Sequence, residues 1–154
     1  MWIQTATGGQ FFYDRLEDNE INVVDIAVSL GNKCRFNGHY TSGTTYSIAE
    51  HSILMAREAL LSCHGLTVAY QCLHHDDVEA YLVDMTSPLK ALFPEYKALE
   101  KKVERVIFER LGVPTPLSPV VKRYDTRILK AEYNAMMVTS ILSGNDNGII
   151  TKAT

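Results

Sequence analysis

Apolar residues along this chain recur at three- and four-residue steps, the period of helices that bury one face, and nowhere alternate long enough to build the core of a sheet. The clearest stretch opens at Pro94, where Tyr96, Leu99, Val103, Val106 or Ile107, and Leu111 share a face and Gly112 stops the run. Ser47-Ile48-Ala49-Glu50 is a capping box, in which the serine hydroxyl and the glutamate carboxylate each satisfy an orphan amide. The helix behind it turns Ile48, Met55 and Ala59 inward and runs to about Cys63. Asn22 caps a short helix carrying Val23, Val24, Ile26, Ala27 and Leu30, ended by Gly31. A helix beginning near Thr67 carries Val68, Ala69, Cys72 and Leu73 into His74-His75-Asp76-Asp77. Ser87-Pro88 reads as a cap followed by proline at the first helical position. Ser118-Pro119 starts a last long helix reaching about Leu142, with Val121, Tyr124, Ile128 and Ala135 as its inward stripe.

Between these elements the pattern breaks. The first twenty residues, with Gly8-Gly9 and Phe11-Phe12-Tyr13, read as an irregular or short-strand entry. Residues 32–46, including Asn37-Gly38 and Ser42-Gly43, form an aperiodic loop long enough to imply a function of its own. Residues 143–154 are rich in Gly and Asn and read as a frayed tail. The expectation is an all-α protein, a compact helical bundle with an irregular N-terminal segment, forming one domain over residues 1–154.

Composition narrows the classes of function. At 154 residues and 46% hydrophobic the chain can bury a sizeable core, and with 21% charged residues neither a disordered nor a fibrous chain fits. Fifteen Lys and Arg against eighteen Asp and Glu, net −3, argue against a coat for a nucleic-acid polymer but leave room for a local pocket of cations. No apolar run approaches the roughly 20 residues of a membrane span, and Met1-Trp2-Ile3-Gln4 opens no signal peptide. Three cysteines (Cys34, Cys63 and Cys72) make neither a disulfide framework nor a thiolate zinc finger. These features predict a cytoplasmic protein, in the host's cytoplasm if a phage encodes it.

Candidate chemistry gathers on three helices. Taken alone, His75-Asp76 fits a helix C-terminus where the macrodipole favours histidine and the aspartate faces water. Adjacent ligands converge on one ion only if the helix ends or kinks there. Glu79, Tyr81 and Asp84 follow within nine residues and concentrate carboxylates beside an apolar helix. His51 lies between Ile48, Leu54 and Met55, as either a hydrogen-bonded core residue or a ligand. Asp125 falls at the edge of the last helix's inward stripe, and Glu132 shares that face seven residues on. Inward acids on an apolar stripe need an arginine, a metal or another cation. His51, His75, Asp76 and Asp125 together make a mixed N/O set that suits Mn, Fe, Co, Ni or Zn, and the absence of thiolates argues against a closed structural zinc site. His74 is left over, beside the ligands or facing solvent.

The spacing His51…His75-Asp76…Asp125 resembles that of the HD-domain metal-dependent phosphohydrolases. The segments Cys34–His39, Tyr46–Ser52, His75–Asp84 and Ser87–Lys90 resemble the compact nucleotide-cleaving branch, which includes bacterial 5′-deoxynucleotidases and small phage dATP triphosphohydrolases. The likeness runs from about residue 20 to 135. It implies an HD-domain bundle with metal ligands His51, His75, Asp76 and Asp125, holding a divalent transition metal (Co, Mn, Zn, Ni or Fe), with Mg as an additional ion. It implies Glu79 as the acid handling the protons of the attacking water and Asp84 as a second catalytic acid. Arg35 is implied as a phosphate clamp, Phe36 as a residue stacking on the base or closing over the sugar, and Lys90 as a cation within reach of a phosphate. His39 reads equally as a phosphate contact or a plain loop residue. Two features depart from the family pattern: Val83 replaces the usual Gly before Asp84, and the tail after the Asp125 helix is short.

The implied activity is metal-dependent hydrolysis of 2′-deoxynucleotides, cleaving a dNTP (dATP among them) to deoxynucleoside and triphosphate. The alternatives are release of phosphate from a dNMP and, in another class, a non-catalytic nucleotide sensor. Hydrolases of (p)ppGpp favour His-Asp-x-x-Glu-Asp, where this chain has Ala80, and cyclic-dinucleotide phosphodiesterases carry a Gly-Tyr-Pro tripeptide that it lacks. The partners expected are a deoxynucleotide substrate and further copies of the same chain in a homo-oligomer, with no nucleic-acid polymer and no membrane.

Overall fold

The computed structural model describes residues 1–41 and 44–137. Ser42-Gly43, the helical reach to Leu142 and the tail 143–154 lie outside the described residues. The chain opens with an antiparallel hairpin, β1 (Trp2–Gln4) and β2 (Gln10–Phe12), pairing Trp2 with Phe12. Asn19 then fastens the entry: its side chain accepts from the Phe12 amide at 2.7 Å and donates to the Phe12 and Leu16 carbonyls. Helix α1 (Val23–Gly31) follows, with the Asn22 side chain accepting from the Val24 amide as expected of a cap. Its buried residues are Asp25, Ile26 and Leu30, while Val23 and Val24 face outward.

Helices α2 (Ile48–Leu61) and α3 (Gly65–His74) form a tight pair. Cys63 and Gly65 both take left-handed φ values, 57° and 83°, and reverse the chain between them, so α3 begins two residues before Thr67. Of the apolar residues it carries, Ala69 and Cys72 are buried and Leu73 is exposed. A 3₁₀ turn (Asp77–Ala80) leads to the single turn α4 (Ser87–Lys90). There Thr86, not Ser87, occupies the cap position and makes no side-chain cap bond; extended backbone at Thr86 puts Ser87 inside the helix. Helix α5 (Pro94–Leu111) ends at Gly112 in the left-handed conformation, φ 66°. Helix α6 (Pro119–Met136) is followed by extended backbone at Met137, and Ala135 is exposed rather than inward. The architecture is mostly α, with one two-stranded sheet among the described residues. Among those residues no helix is long and apolar enough to cross a membrane.

The core has two parts. Phe11, Ile26, Ile48, Tyr81, Val103 and Ile107 belong to one, with Phe11 stacked on Tyr81 at 4.1 Å between centroids. Met55, Ala59, Ala69, Cys72, Val121, Tyr124 and Ile128 make the other, joining α2, α3 and α6. Each large side chain so buried contributes about 1.5–3 kcal/mol. Ile48 belongs to the first part and Met55 to the second; His51, between them on α2, is fully buried where the two meet.

Candidate functional site

The site begins with the start of α2. The Ser47 amide donates to Glu50 Oε2 at 2.8 Å and the Glu50 amide to Ser47 Oγ at 3.2 Å, the reciprocal bonds of a capping box. This fixes the first turn and aims His51 into the interior. Its Nδ1 lies 2.6 Å from Glu132 Oε1 on α6. Glu132 also accepts from Tyr46 OH at 2.7 Å and from Arg35 Nε at 3.1 Å. Burial pushes the Glu132 carboxyl up, but these donors outweigh it and hold it below the usual value. An ionised Glu132 takes the Nδ1 proton as its hydrogen bond, so a neutral His51 carries its lone pair on Nε2.

His75 arrives at the same place from α3. The helix ends at His74, and Asp76 (φ −107°, ψ 13°) has left helical geometry, the break that adjacent ligands need in order to converge. His75 Nδ1 donates to the Cys72 carbonyl at 2.8 Å, which again leaves Nε2 as the free lone pair of the neutral ring. Asp76 Oδ2 lies 3.2 Å from His75 Nε2 and 4.0 Å from His51 Nε2. Asp125 on α6 puts Oδ1 3.6 Å from His51 Nε2, while its Oδ2 accepts from Lys122 at 2.7 Å. The ligand atoms offered by His51, His75 and Asp125 all lie within 4.8 Å of one another, a group that could hold a metal ion.

Two observations fit that group to a cation. The Nε2 atoms of His51 and His75 are both buried and, among the described residues, have no hydrogen-bond partner, a costly state unless something occupies the lone pairs. The charges agree. Burial opposes ionisation of Asp76, yet His75, His51 and Arg35 pull it down to about 2, and His51 and Lys122 hold Asp125 lower still against its own burial. Burial also opposes a charge on His75, but the two aspartates outweigh it and raise its pKa, so proton and metal compete for one lone pair.

Acids and cations surround the group. Glu79 is buried, and among the described residues its Oε2 has no hydrogen-bond partner; burial and the negative charges of Asp76 and Asp84 raise it to about 9. Asp84 is raised by burial, with Arg35, Lys90 and Lys33 opposing. Arg35 sits in a 3₁₀ turn (Arg35–Gly38) with Nη1 3.7 Å from Asp76 Oδ2. Phe36 follows in left-handed backbone (φ 55°), its ring centre 5.5 Å from the guanidinium. Lys90 pairs with Glu100, and its charge lowers both Glu79 and Asp84. His39 is exposed and donates its amide to the Phe36 carbonyl; among the described residues no hydrogen bond or ion pair involves its ring. His74 does not face solvent: it is buried with Nδ1 2.6 Å from Asp77 Oδ2.

The sequence marked Glu132 as an inward acid in need of a cation but gave no role to Tyr46 or Lys33. Glu132 had a signal, its position seven residues past Asp125 on one face. Tyr46 and Lys33 had none, since their roles arise from groups distant in the chain.

The fold and the site define a mostly-α protein with a histidine–aspartate group able to hold a metal ion. No family model matches the chain. It is 40% identical over 134 residues to the uncharacterized protein YfdR of Escherichia coli (strain K12), an alignment covering 85% of this chain and 70% of YfdR. The chain belongs to the YfdR family. It is also 33% identical over 107 residues to the uncharacterized protein RCAP_rcc00048 of Rhodobacter capsulatus, covering 68% of this chain but 55% of that protein.

Proposed function

We propose that the chain is a metal-dependent hydrolase of 2′-deoxynucleotides, cleaving a dNTP to deoxynucleoside and triphosphate. The observation that carries the reading is the pair of buried, unpartnered Nε2 atoms of His51 and His75 facing Asp76 and Asp125, with two further acids beside them. Such a set suits Co, Mn, Zn, Ni or Fe. A divalent ion held there supplies a water of pKa near about 7 and polarises a phosphoryl oxygen. Arg35 offsets negative charge on the phosphate from beside Asp76, and Phe36 offers a face for the base or sugar. Glu79 at about 9 holds a proton at neutral pH, which it can pass to a leaving oxygen; added positive charge beside it lowers that value and lets the same carboxylate accept a proton. Asp84 shares the work from the segment that follows the turn.

One observation favours the 5′-monophosphate as a second reading. Arg35, Lys90 and Lys122 are each already paired with a carboxylate, so a triphosphate must draw them away from Glu132, Glu100 and Asp125. In this proposal the working unit is a homo-oligomer, supported by Leu61 and Leu66 standing 78% and 80% exposed near the α2–α3 turn. The deciding experiment loads the protein with each metal and assays a panel of dNTPs and dNMPs. Triphosphate released intact from a dNTP supports the first reading, and orthophosphate from dNMPs alone replaces it with the second. A metal-loaded protein that binds nucleotides without turnover is a sensor and overturns both.

A further inference from the structure

The six residues from Glu79 to Asp84 carry both acids of the site, and their backbone is held in an unusual way. The amides of Tyr81 and Leu82 bond back to the Val78 carbonyl at 3.2 and 3.0 Å. The five carbonyls from Glu79 to Val83 are taken by side chains from elsewhere in the chain. Lys33 Nζ donates to the carbonyls of Glu79, Ala80 (3.3 Å) and Leu82 (2.8 Å). Ser29 Oγ donates to Ala80 at 2.8 Å, Tyr13 OH to Tyr81 at 2.6 Å, and Tyr96 OH to Val83. All four donors line a cavity of about 660 Å³ behind the turn. Lys33 alone reaches three of the five carbonyls, and an ammonium has three protons to give.

A continued helix would satisfy these carbonyls with its own amides, but it would set Glu79 and Asp84, five residues apart, about 140° from each other around the axis. In the structure Glu79 lies in the 3₁₀ turn Asp77–Ala80 and Asp84 on the non-helical backbone that follows it, not on a continued helix. Side-chain donors from outside make this irregular backbone stable. We infer that Lys33 is a positioning residue: by clamping the carbonyls of residues 79, 80 and 82 it fixes the spacing of Glu79 and Asp84 against the metal group. The inference rests on the hydrolase reading for its catalytic consequence and on the hydrogen bonds alone for the clamp.

The test compares Lys33→Met, which keeps the stem and loses the donors, with Lys33→Arg, which restores donors. Ser29→Ala and Tyr13→Phe serve as milder variants should Lys33→Met fold poorly. The expected result is unchanged metal content, kcat lowered about 10–100-fold in Lys33→Met with KM within about twofold, and recovery of most of that loss in Lys33→Arg. The milder variants, each losing one donor, lower kcat less than Lys33→Met does. Activity of Lys33→Met within twofold of wild type, a loss carried by KM or by metal content, or an arginine variant no better than methionine overturns the proposal. Hydrogen exchange separates it from the functional reading. If the metal-loaded wild type hydrolyses nothing, the hydrolase reading fails, and faster exchange at amides 80–84 in Lys33→Met still establishes the clamp. Unchanged exchange there removes the clamp as well.

Discussion

His51 and His74 each set Nδ1 2.6 Å from a buried carboxylate oxygen, that of Glu132 for one and Asp77 for the other. The surroundings of the two pairs differ. Burial raises the Asp77 carboxyl despite its bond to His74, whereas Arg35 and Tyr46 join His51 in holding Glu132 below its usual value. His74 packs edge-on against Tyr70 with ring centroids 4.4 Å apart. The far nitrogen of His51 is buried, unpartnered and faced by Asp76 and Asp125. A buried histidine–carboxylate pair is therefore no mark of a site by itself. The mark is a free lone pair aimed at further acids, and the two pairs can be set against each other by mutation.

The largest effect is expected at the lone pair itself. His51→Ala or Asp125→Ala should strip the bound metal and lower turnover by about 10³-fold or more, read by metal analysis beside a phosphate-release assay. Metal retained at about one ion per chain in either variant would place the centre elsewhere.

Glu79→Gln should keep the metal and lose about 10²-fold in turnover. It should also change how stability depends on pH in metal-free protein. The folded carboxyl titrates near about 9 against an ordinary value of 4.5. Below pH 4.5 the group is neutral folded or unfolded, and its contribution to stability is fully present. That contribution is lost as pH rises towards 9, because the unfolded chain ionises freely while the folded one resists. Thermal melts of chelated protein from pH 5 to 8.5 should fall less steeply for Glu79→Gln than for wild type. Parallel slopes would mean that the raised value is not a property of the folded protein.

Glu132→Gln removes the carboxylate that orients His51 without touching a ligand atom. The expected loss is about 10–100-fold in metal affinity, measured by competition with a chelator, with turnover restored at saturating metal. His74→Ala is the contrasting case. It breaks the other pair and should cost about 3 kcal/mol of stability while leaving metal content unchanged and turnover within twofold. A denaturant melt beside metal analysis checks it, and loss of metal there would erase the distinction between the two pairs.

Local features of the chain were legible because their energies are local. The capping box at Ser47, the prolines that open α5 and α6, the stop at Gly112, and the inward placing of Ile48, Met55 and Ala59 depend on neighbours within a turn or two. The same periodicity turned His51 into the core and left Asp125 and Glu132 on one face of α6, which singled them out as residues needing partners. Which partners they have was decided by tertiary structure. His75 and Asp76 converge because α3 stops at His74 and Asp76 leaves helical geometry, a break no side-chain pattern in the sequence marks. Ser87 lost its cap position to Thr86, whose non-helical backbone (φ −56°, ψ 143°) fixes where the helix begins. Lys33 lies furthest from sequence reasoning. Its partners are main-chain carbonyls, and every residue carries one. No pattern of side chains records a bond to a group that is present everywhere, so only the folded backbone decides which three carbonyls a lysine meets.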